Sequence, residues 1–415
     1  MTKLRRAVYA TAGFSTVSMG TGRREFNPKQ PGPGIELYIL EAGRGAIQQI
    51  NSAGHIDEAV IGNFMAARFC RQGHLAAFLP AIDPALRFKP CTRTEGACAS
   101  GGLALYTGIK SILAETAEVV LVVGVEVQNT VKAVYGSDIL AGAAYYTGER
   151  KAGHAYFFPA KFDERAAAYF AKFGQERTRR AMALWYVQAI ENARREPKAQ
   201  EYHNNAPDLF ALGMTPPNPK VFLPHLNVYD CSKVSDGASA LILASEEGLK
   251  RLGVDKAHAA QLVGLGIAED DLMQPPPDLT HLTTTRAAVE KAYRMAGIGP
   301  ERIRVCEVHD CFTISGLLSM EAAGFAKHGE APDFVAAGET RLSGSVACNT
   351  TGGLIGFGHY TGGTGVRQAV DVWRQLTGKA GDCQVQFPSG RQYGMTINMG
   401  GNDKTVTVYI FGPAS

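Results

Sequence analysis

The chain has 415 residues, 45% of them apolar and 20% charged, with a formal net charge of +3. It is too long for one ordinary core and too apolar for disorder, so two or three folded units are expected. The charge balance is too mild for a nucleic-acid binder yet tolerates a polyanionic ligand such as a nucleotide tail, and no run of eighteen apolar residues is present to span a membrane.

Eight cysteines are scattered along the chain with no C-x-x-C pair, so no structural metal site is expected and a reducing compartment is the default. Arg5 and Arg6 leave a transit peptide open, but residues 7–13 read better as a first strand. Residues 36–53 read as a helix, 59–61 as a short strand and 101–116 as a helix after a small-residue turn. The run VVLVVGVEV (119–127) has the continuous apolar character of a strand buried on both faces. Residues 129–231 are richer in aromatics, charges and proline. Within them 163–197 read as one or two amphipathic helices and 204–219 as a loop. Further strands are expected at 240–245, 260–268, 303–308 and 405–411. This alternation defines an α/β class with covered sheets, and Gly-rich turns before a helix in each half (Gly101-Gly102, Gly362-Gly363) are a faint internal echo.

Four residues stand out chemically. Cys98 lies among Gly96, Ala97, Ala99, Ser100, Gly101 and Gly102, just before a helix, where the helix dipole favours a thiolate and small neighbours admit a substrate. His359 sits in GGLIGFGHYTGGTG, where the glycines permit sharp bends and close ligand approach, and a His there could take a thiol proton. The spacing fits neither a dinucleotide fingerprint nor a Walker loop. His309, Asp310 and Cys311 follow a strand, where α/β folds place sites. For each of these a structural role in the core or a turn is the alternative. Asp236 reads as a turn or cap residue, and Arg177, Arg179 and Arg180 as a solvated helix face or as contacts for phosphates.

Taken together, the motifs resemble thiolases of the sterol-carrier-protein-2 type. EGACASGG resembles the nucleophile loop, with Cys98-Ala99-Ser100 as its Cys-x-Ser. DCSKVSDGASALILAS (230–245) resembles the segment returning to the first sheet, HDCF (309–312) is the motif that marks the type, and NTTGGLIGFGHYTGGTG (349–365) resembles the Gly-His-Pro loop. Two departures are visible: Tyr360 replaces the proline after the loop histidine, and Asn398-Met399-Gly400 replaces the last Cys-x-Gly.

The resemblance implies a five-layer α-β-α-β-α fold of two similar halves, 1–128 plus 232–258 and 259–415, with an inserted loop domain at 129–231 that binds coenzyme A. It implies a thiolase, an acetyl-CoA C-acyltransferase, that cleaves 3-oxoacyl-CoA with CoA, or runs the reverse condensation, through acyl-Cys98. His359 would activate Cys98, and Cys311 would be the acid/base. The backbone of Cys98 and Gly400, together with His309 and His359, would form the oxyanion holes, and Tyr360 and Asn398 would border the substrate pocket. A lowered Cys98 pKa is expected. CoA and acyl-CoA enter as substrates, with no resident cofactor and no metal. A homodimer or homotetramer is implied, in the cytoplasm or, in a eukaryote, a mitochondrial or peroxisomal matrix. Two other readings fit: a thiolase-like acyltransferase or retro-aldolase subunit working with a small OB-fold partner, and a non-catalytic acyl-CoA or lipid-binding protein.

Overall fold

The computed structural model describes residues 4–150 and 154–414. Its strands are β1 (Tyr9–Ser15), β2 (Glu58–Gly62), β3 (Cys91–Thr94), β4 (Val119–Glu126), β5 (Gly237–Ala244), β6 (Ala260–Glu269), β7 (Ile303–Glu307), β8 (Ala347–Cys348), β9 (Tyr393–Gly400) and β10 (Thr405–Pro413). They lie side by side in the order β3-β2-β4-β5-β1-β6-β10-β9-β7-β8. The β1–β6 junction is short, Tyr9 opposite Gln261 and Ala10 opposite Ala260. Read outward from it the order is the same on either side: the five strands of each half run first, fifth, fourth, second, third. In each group the second strand is parallel to the third and fourth, and the fifth is antiparallel to the fourth. The α/β class and the pair of similar halves are therefore present.

Alternation along the strands builds the layers. In β4, Val119, Leu121, Val123 and Val125 face an outer core with helix α1 (Ile35–Ile47). Val120 and Val122 point the other way, onto helix α2 (Ser100–Leu113). Period-2 side chains make this possible only when both faces are covered. In β10, Tyr409 and Phe411 join that same central layer, while Val406, Val408 and Ile410 face the outer core of the second half. Helix α3 (Phe157–Phe173), α4 (Gln175–Ala193), α5 (Thr283–Ala296) and α6 (Thr313–Ala322) contribute to that outer core, and α7 (Thr364–Leu376) lies beside α2 in the centre. Sheet, central helices and sheet again, with helices outside both, give five layers.

The expected helix at 36–53 stops at Ile47, and the 163–197 stretch is two helices broken at Gly174, whose φ of +96° suits glycine. Trp185, Ile190 and Phe162 from this region pack with Leu317 and Met395 of the second half. No helix among the described residues is long and apolar enough to cross a membrane.

The glycines at the start of α2 and α7 let the two helix entrances meet backbone to backbone. A Cβ on Gly101 would stand 2.9 Å from Gly362 O and 2.9 Å from Gly365 N. This contact brings the Cys98 and His359 loops to one place, at the carboxyl ends of the parallel strands, where α/β folds put their sites.

Candidate active site

Cys98 follows β3 in a tight turn. Ala97 is left-handed (φ +52°), the Ser100 hydroxyl donates to Ala97 O at 2.6 Å, and Gly96 N–H donates to Ser100 Oγ at 3.1 Å. This knot holds Cys98 at the entrance of α2. Its thiol lines a cavity of about 390 Å³, and burial pushes the thiol up to about 12, with the Glu126 charge adding to the push. The N–H groups of Gly401 and of Cys98 itself pull in the opposite direction. The lowered thiol expected from the helix terminus is not what the surroundings produce. Desolvation outweighs the dipole here, so the resting group is a thiol.

His309 and His359 close around it. One ligand-type atom of each of Cys98, His309 and His359 lies within 4.8 Å of the others, and the two imidazoles meet edge to face with centroids 5.0 Å apart. His309 sits just past β7 and is 1% exposed; His359 sits in the loop before α7 and is 8% exposed. Burial lowers both below the usual imidazole range, His359 to about 3, and each is neutral at physiological pH.

The hydrogen bonds assign the tautomers. His359 Nδ1 lies 2.7 Å from Thr364 Oγ1, whose own proton goes to Tyr360 O at 3.3 Å. The hydroxyl therefore accepts from Nδ1–H, and Nε2 keeps a free lone pair. The backbone of His359 is pinned as well. Its N–H donates to Ser235 Oγ (2.8 Å) and its carbonyl accepts from Gln128 Nε2 (2.7 Å).

Cys311 lines the same cavity, 8% exposed, with its thiol raised well above the usual range by burial and then by the neighbouring Cys98. Ser315 Oγ lies 3.8 Å from its sulfur and also donates to Phe312 O at 2.7 Å, fixing the turn into α6. Asp310 points away. It accepts from Trp185 Nε1 (3.0 Å) and Leu354 N–H (2.7 Å), tying the turn to α4 and to the Gly-rich loop, and burial raises it to about 6. Asp236 caps as expected, accepting from Gln128 N–H (2.6 Å) and Asn129 N–H (2.9 Å). The remaining walls are largely apolar, with Phe158, Phe162, Phe222 and Phe312 prominent and Gln128, Gln200, Ser232, Lys233 and Thr361 adding polar groups.

Three expectations need correction. Tyr360 does not border the cavity. It is 1% exposed and turns into the first half, its hydroxyl 2.8 Å from Ser239 Oγ, which in turn meets Ser15 Oγ at 2.8 Å. Asn398 is also outside the lining: its amide accepts from Gly102 N–H (3.1 Å) and donates to Cys98 O (3.0 Å), behind the nucleophile. At the last loop it is Gly401 (φ +66°), one residue beyond Gly400, whose backbone faces the Cys98 thiol and the cavity. Of the arginines, Arg179 is buried in a two-pronged pair with Asp230 (2.6 and 2.5 Å) and Arg177 pairs with Asp333 (2.8 Å). Arg180 stacks on Phe210.

The roles of Gln128, Thr364, Gly401 and Glu126 were not apparent from the sequence. Glu126 accepts five hydrogen bonds, from Asn63, Phe64, Met65, Thr361 and Gly362, and so fastens the end of β4 to the His359 loop. Only Thr364 left a trace, a hydroxyl about one helical turn after the histidine. A larger groove of about 820 Å³ opens between α5 and α6 and contains none of the site residues.

A five-layer duplicated α/β fold with a cysteine and two histidines converging at the central helix entrances defines an acyl-thioester-handling class of enzyme. Residues 268–413 match the family model described as thiolase C-terminal domain-like. The chain is 35% identical over 380 residues to an acetyl-CoA acetyltransferase of Methanothermobacter thermautotrophicus, covering 90% of this chain and 93% of the relative. It is 26% identical to human sterol carrier protein 2 over 90% of this chain and 67% of that one. Among solved structures, the Ltp2-ChsH2(DUF35) aldolase superposes with a TM-score of 0.78 at 20% identity, over 99% of each chain. The chain belongs to the thiolase superfamily, in the sterol-carrier-protein-2 type marked by its HDCF sequence.

Proposed function

We propose that the chain is a thiolase-class acyltransferase that exchanges acyl groups between 3-oxoacyl-CoA and CoA through acyl-Cys98. One observation carries the reading: a thiol and two buried, neutral imidazoles converge within 4.8 Å in a largely apolar cavity.

The chemistry follows from the resting states. Cys98 and His359 are both neutral, so proton transfer accompanies attack. His359 Nε2 takes the thiol proton as sulfur adds to the C3 carbonyl. The N–H groups of Cys98 and Gly401 receive the tetrahedral oxyanion, and one such donor is typically worth ~3–4 kcal/mol. Collapse breaks the C2–C3 bond and leaves acyl-Cys98 and the enolate of the shortened acyl-CoA. His359, now an imidazolium, and His309 hold the enolate oxygen while Cys311 protonates C2. The Cys311 thiolate then takes the proton of CoA, whose sulfur attacks acyl-Cys98. Cys98 leaves as thiolate and recovers its proton from His359. No metal is needed, and one held by these three residues would block the nucleophile.

A self-paired oligomer fits this reading. β3 is an outer strand with one open edge, and Phe88 beside it is 96% exposed. The similarity to the Ltp2-ChsH2(DUF35) aldolase favours one second reading, a retro-aldolase subunit acting with a small OB-fold partner. The deciding experiment is mass spectrometry of the chain quenched with acetoacetyl-CoA. The thiolase reading expects an acetyl group on Cys98 and loss of thiolysis in Cys98→Ala. Undiminished thiolysis in that variant would refute it, and cleavage without an acyl-enzyme would favour the aldolase.

A further inference from the structure

Asn398 is placed to decide what kind of group His309 is. Its side chain has one acceptor and two donor positions, and all three are committed. Gly102 N–H can only donate, so the atom 3.1 Å from it is Oδ1. The amino group is then the atom that lies 3.0 Å from Cys98 O and 3.2 Å from His309 Nδ1. An amino group can only donate, so His309 Nδ1 is the acceptor and its proton must sit on Nε2. Asn398 is itself 1% exposed, on β9 between β10 and β7, so its side chain is committed to these protein partners.

We propose that Asn398 is a positioning residue that locks His309 as its Nε2–H tautomer, making it a hydrogen-bond donor to the substrate oxygen and withholding it from metal ions. The two histidines then differ by design of their neighbours: Thr364 leaves His359 a lone pair at Nε2, and Asn398 leaves His309 a proton there. The second consequence is independent of catalysis. Cys98, His309 and His359 have ligand atoms close enough for a zinc-like set. A ligating imidazole must offer a lone pair at the metal and donate its other N–H to a partner. Asn398 presents a donor where that partner would have to accept, so His309 cannot ligate through Nε2 without a buried donor–donor clash.

The proposal rests on the thiolase reading only for the oxygen that His309 serves, and the test separates the two. The full chain, labelled with 15N in the imidazoles of its ten histidines, gives one spectrum per tautomer, with His309 identified by its absence in His309→Gln. The expected result is a neutral His309 with the proton on Nε2; a proton on Nδ1 would overturn the proposal whatever the enzyme catalyses. The informative variant is Asn398→Asp, whose carboxylate accepts from Nδ1–H and frees Nε2. It should reverse the tautomer and lower kcat about 100-fold or more with KM within about threefold, as loss of one oxyanion donor does. It should also bind Zn2+, measured by chelator competition, about 10–100-fold more tightly than the unsubstituted chain. An unchanged zinc affinity with a reversed tautomer would refute the metal-exclusion half. If Asn398→Asp does not fold, the spectrum and zinc titration of the unsubstituted chain still decide: an Nδ1–H tautomer, or tight stoichiometric zinc, sinks the idea. Failure of acyl-Cys98 to form would instead count against the thiolase reading and leave the tautomer assignment standing.

Discussion

Glu126→Gln should move stability and thiol reactivity in opposite directions. Glu126 is fully buried and every hydrogen bond it makes is one it accepts: Asn63 Nδ2 and Met65 N–H reach Oε1, while Phe64 N–H, Thr361 Oγ1 and Gly362 N–H reach Oε2. An amide oxygen can stand in for Oε2 and keep three of these bonds. The amino group then faces Asn63 Nδ2 and Met65 N–H, donor against donor. Asn63 cannot turn over to help, because its Oδ1 already accepts from Ala66 N–H (3.2 Å) and Arg93 Nη2 (2.9 Å). At roughly 1–3 kcal/mol for each stranded buried donor, the variant should lose about 3 kcal/mol in urea unfolding. The same substitution removes the charge that, after burial, most raises the Cys98 thiol. Its pKa should therefore fall, and each unit is a tenfold gain in thiolate at a given pH. Iodoacetamide labelling of Cys98 against pH, followed by mass spectrometry of the peptide, reads this directly. A destabilised protein whose Cys98 labels no faster, or a labelling curve shifted to higher pH, would refute the electrostatic account of the site.

Other expectations are more local. His309 and His359 have folded pKa values below the unfolded 6.5, so the unfolded chain binds protons the folded one does not, and their contribution to stability is lost as pH falls below about 6.5. Glu307, raised to about 8, and Asp310, raised to about 6, act with the opposite sign. The clean measure is therefore a difference: the stability of His359→Asn relative to the unsubstituted chain should rise by about 1.4 kcal/mol per unit as pH falls from 5.5 to 4.5, and a flat difference would show that His359 is not held neutral. Tyr360→Phe should cost about 1 kcal/mol in unfolding, since Ser239 keeps Ser15 as a partner. Its kcat should stay within about twofold, and a tenfold loss would put Tyr360 in the chemistry. Gly101→Ala pushes a methyl against Gly362 O and Gly365 N; about 1–3 kcal/mol of overpacking and a kcat loss on the order of 100-fold from displacing His359 against Cys98 are expected, and normal kinetics would show that the two loops move independently.

The sequence was legible where chemistry and composition coincide. Cys98, His309, Cys311 and His359 stand in loops of small or signature residues, and the structure brings all four to one cavity. Strands such as 119–127 announced themselves because burial on both faces demands an uninterrupted apolar run. β9 did not: YGMTINMG carries two glycines and an asparagine, and it is a strand because β7 and β10 pair with it on either side. That omission placed Asn398 at the substrate pocket and hid its actual position, which depends on Gly102, Cys98 and His309, all distant in the chain. The glycines near His359 were read as room for a ligand. At Gly362 and Gly365 the backbone instead makes room for the neighbouring helix entrance at Gly101. The thiol's raised pKa was equally invisible, because it comes from enclosure and from Glu126, which lies twenty-eight residues farther along the chain.

The repeated strand order has a consequence for how the two halves depend on each other. Near the end of its fourth strand, each half carries one polar side chain that reaches across the seam: Glu126 clasps Thr361 and Gly362 of the second half, and Asn398 clasps Cys98 and Gly102 of the first. Each half thus adds a clasp on the other's reactive loop to the hydrogen bonds that the loop makes within its own half. A lone half would keep the Ser100 knot around the nucleophile or the Thr364 contact on the base, but would lose the clasp that fixes that loop against its counterpart.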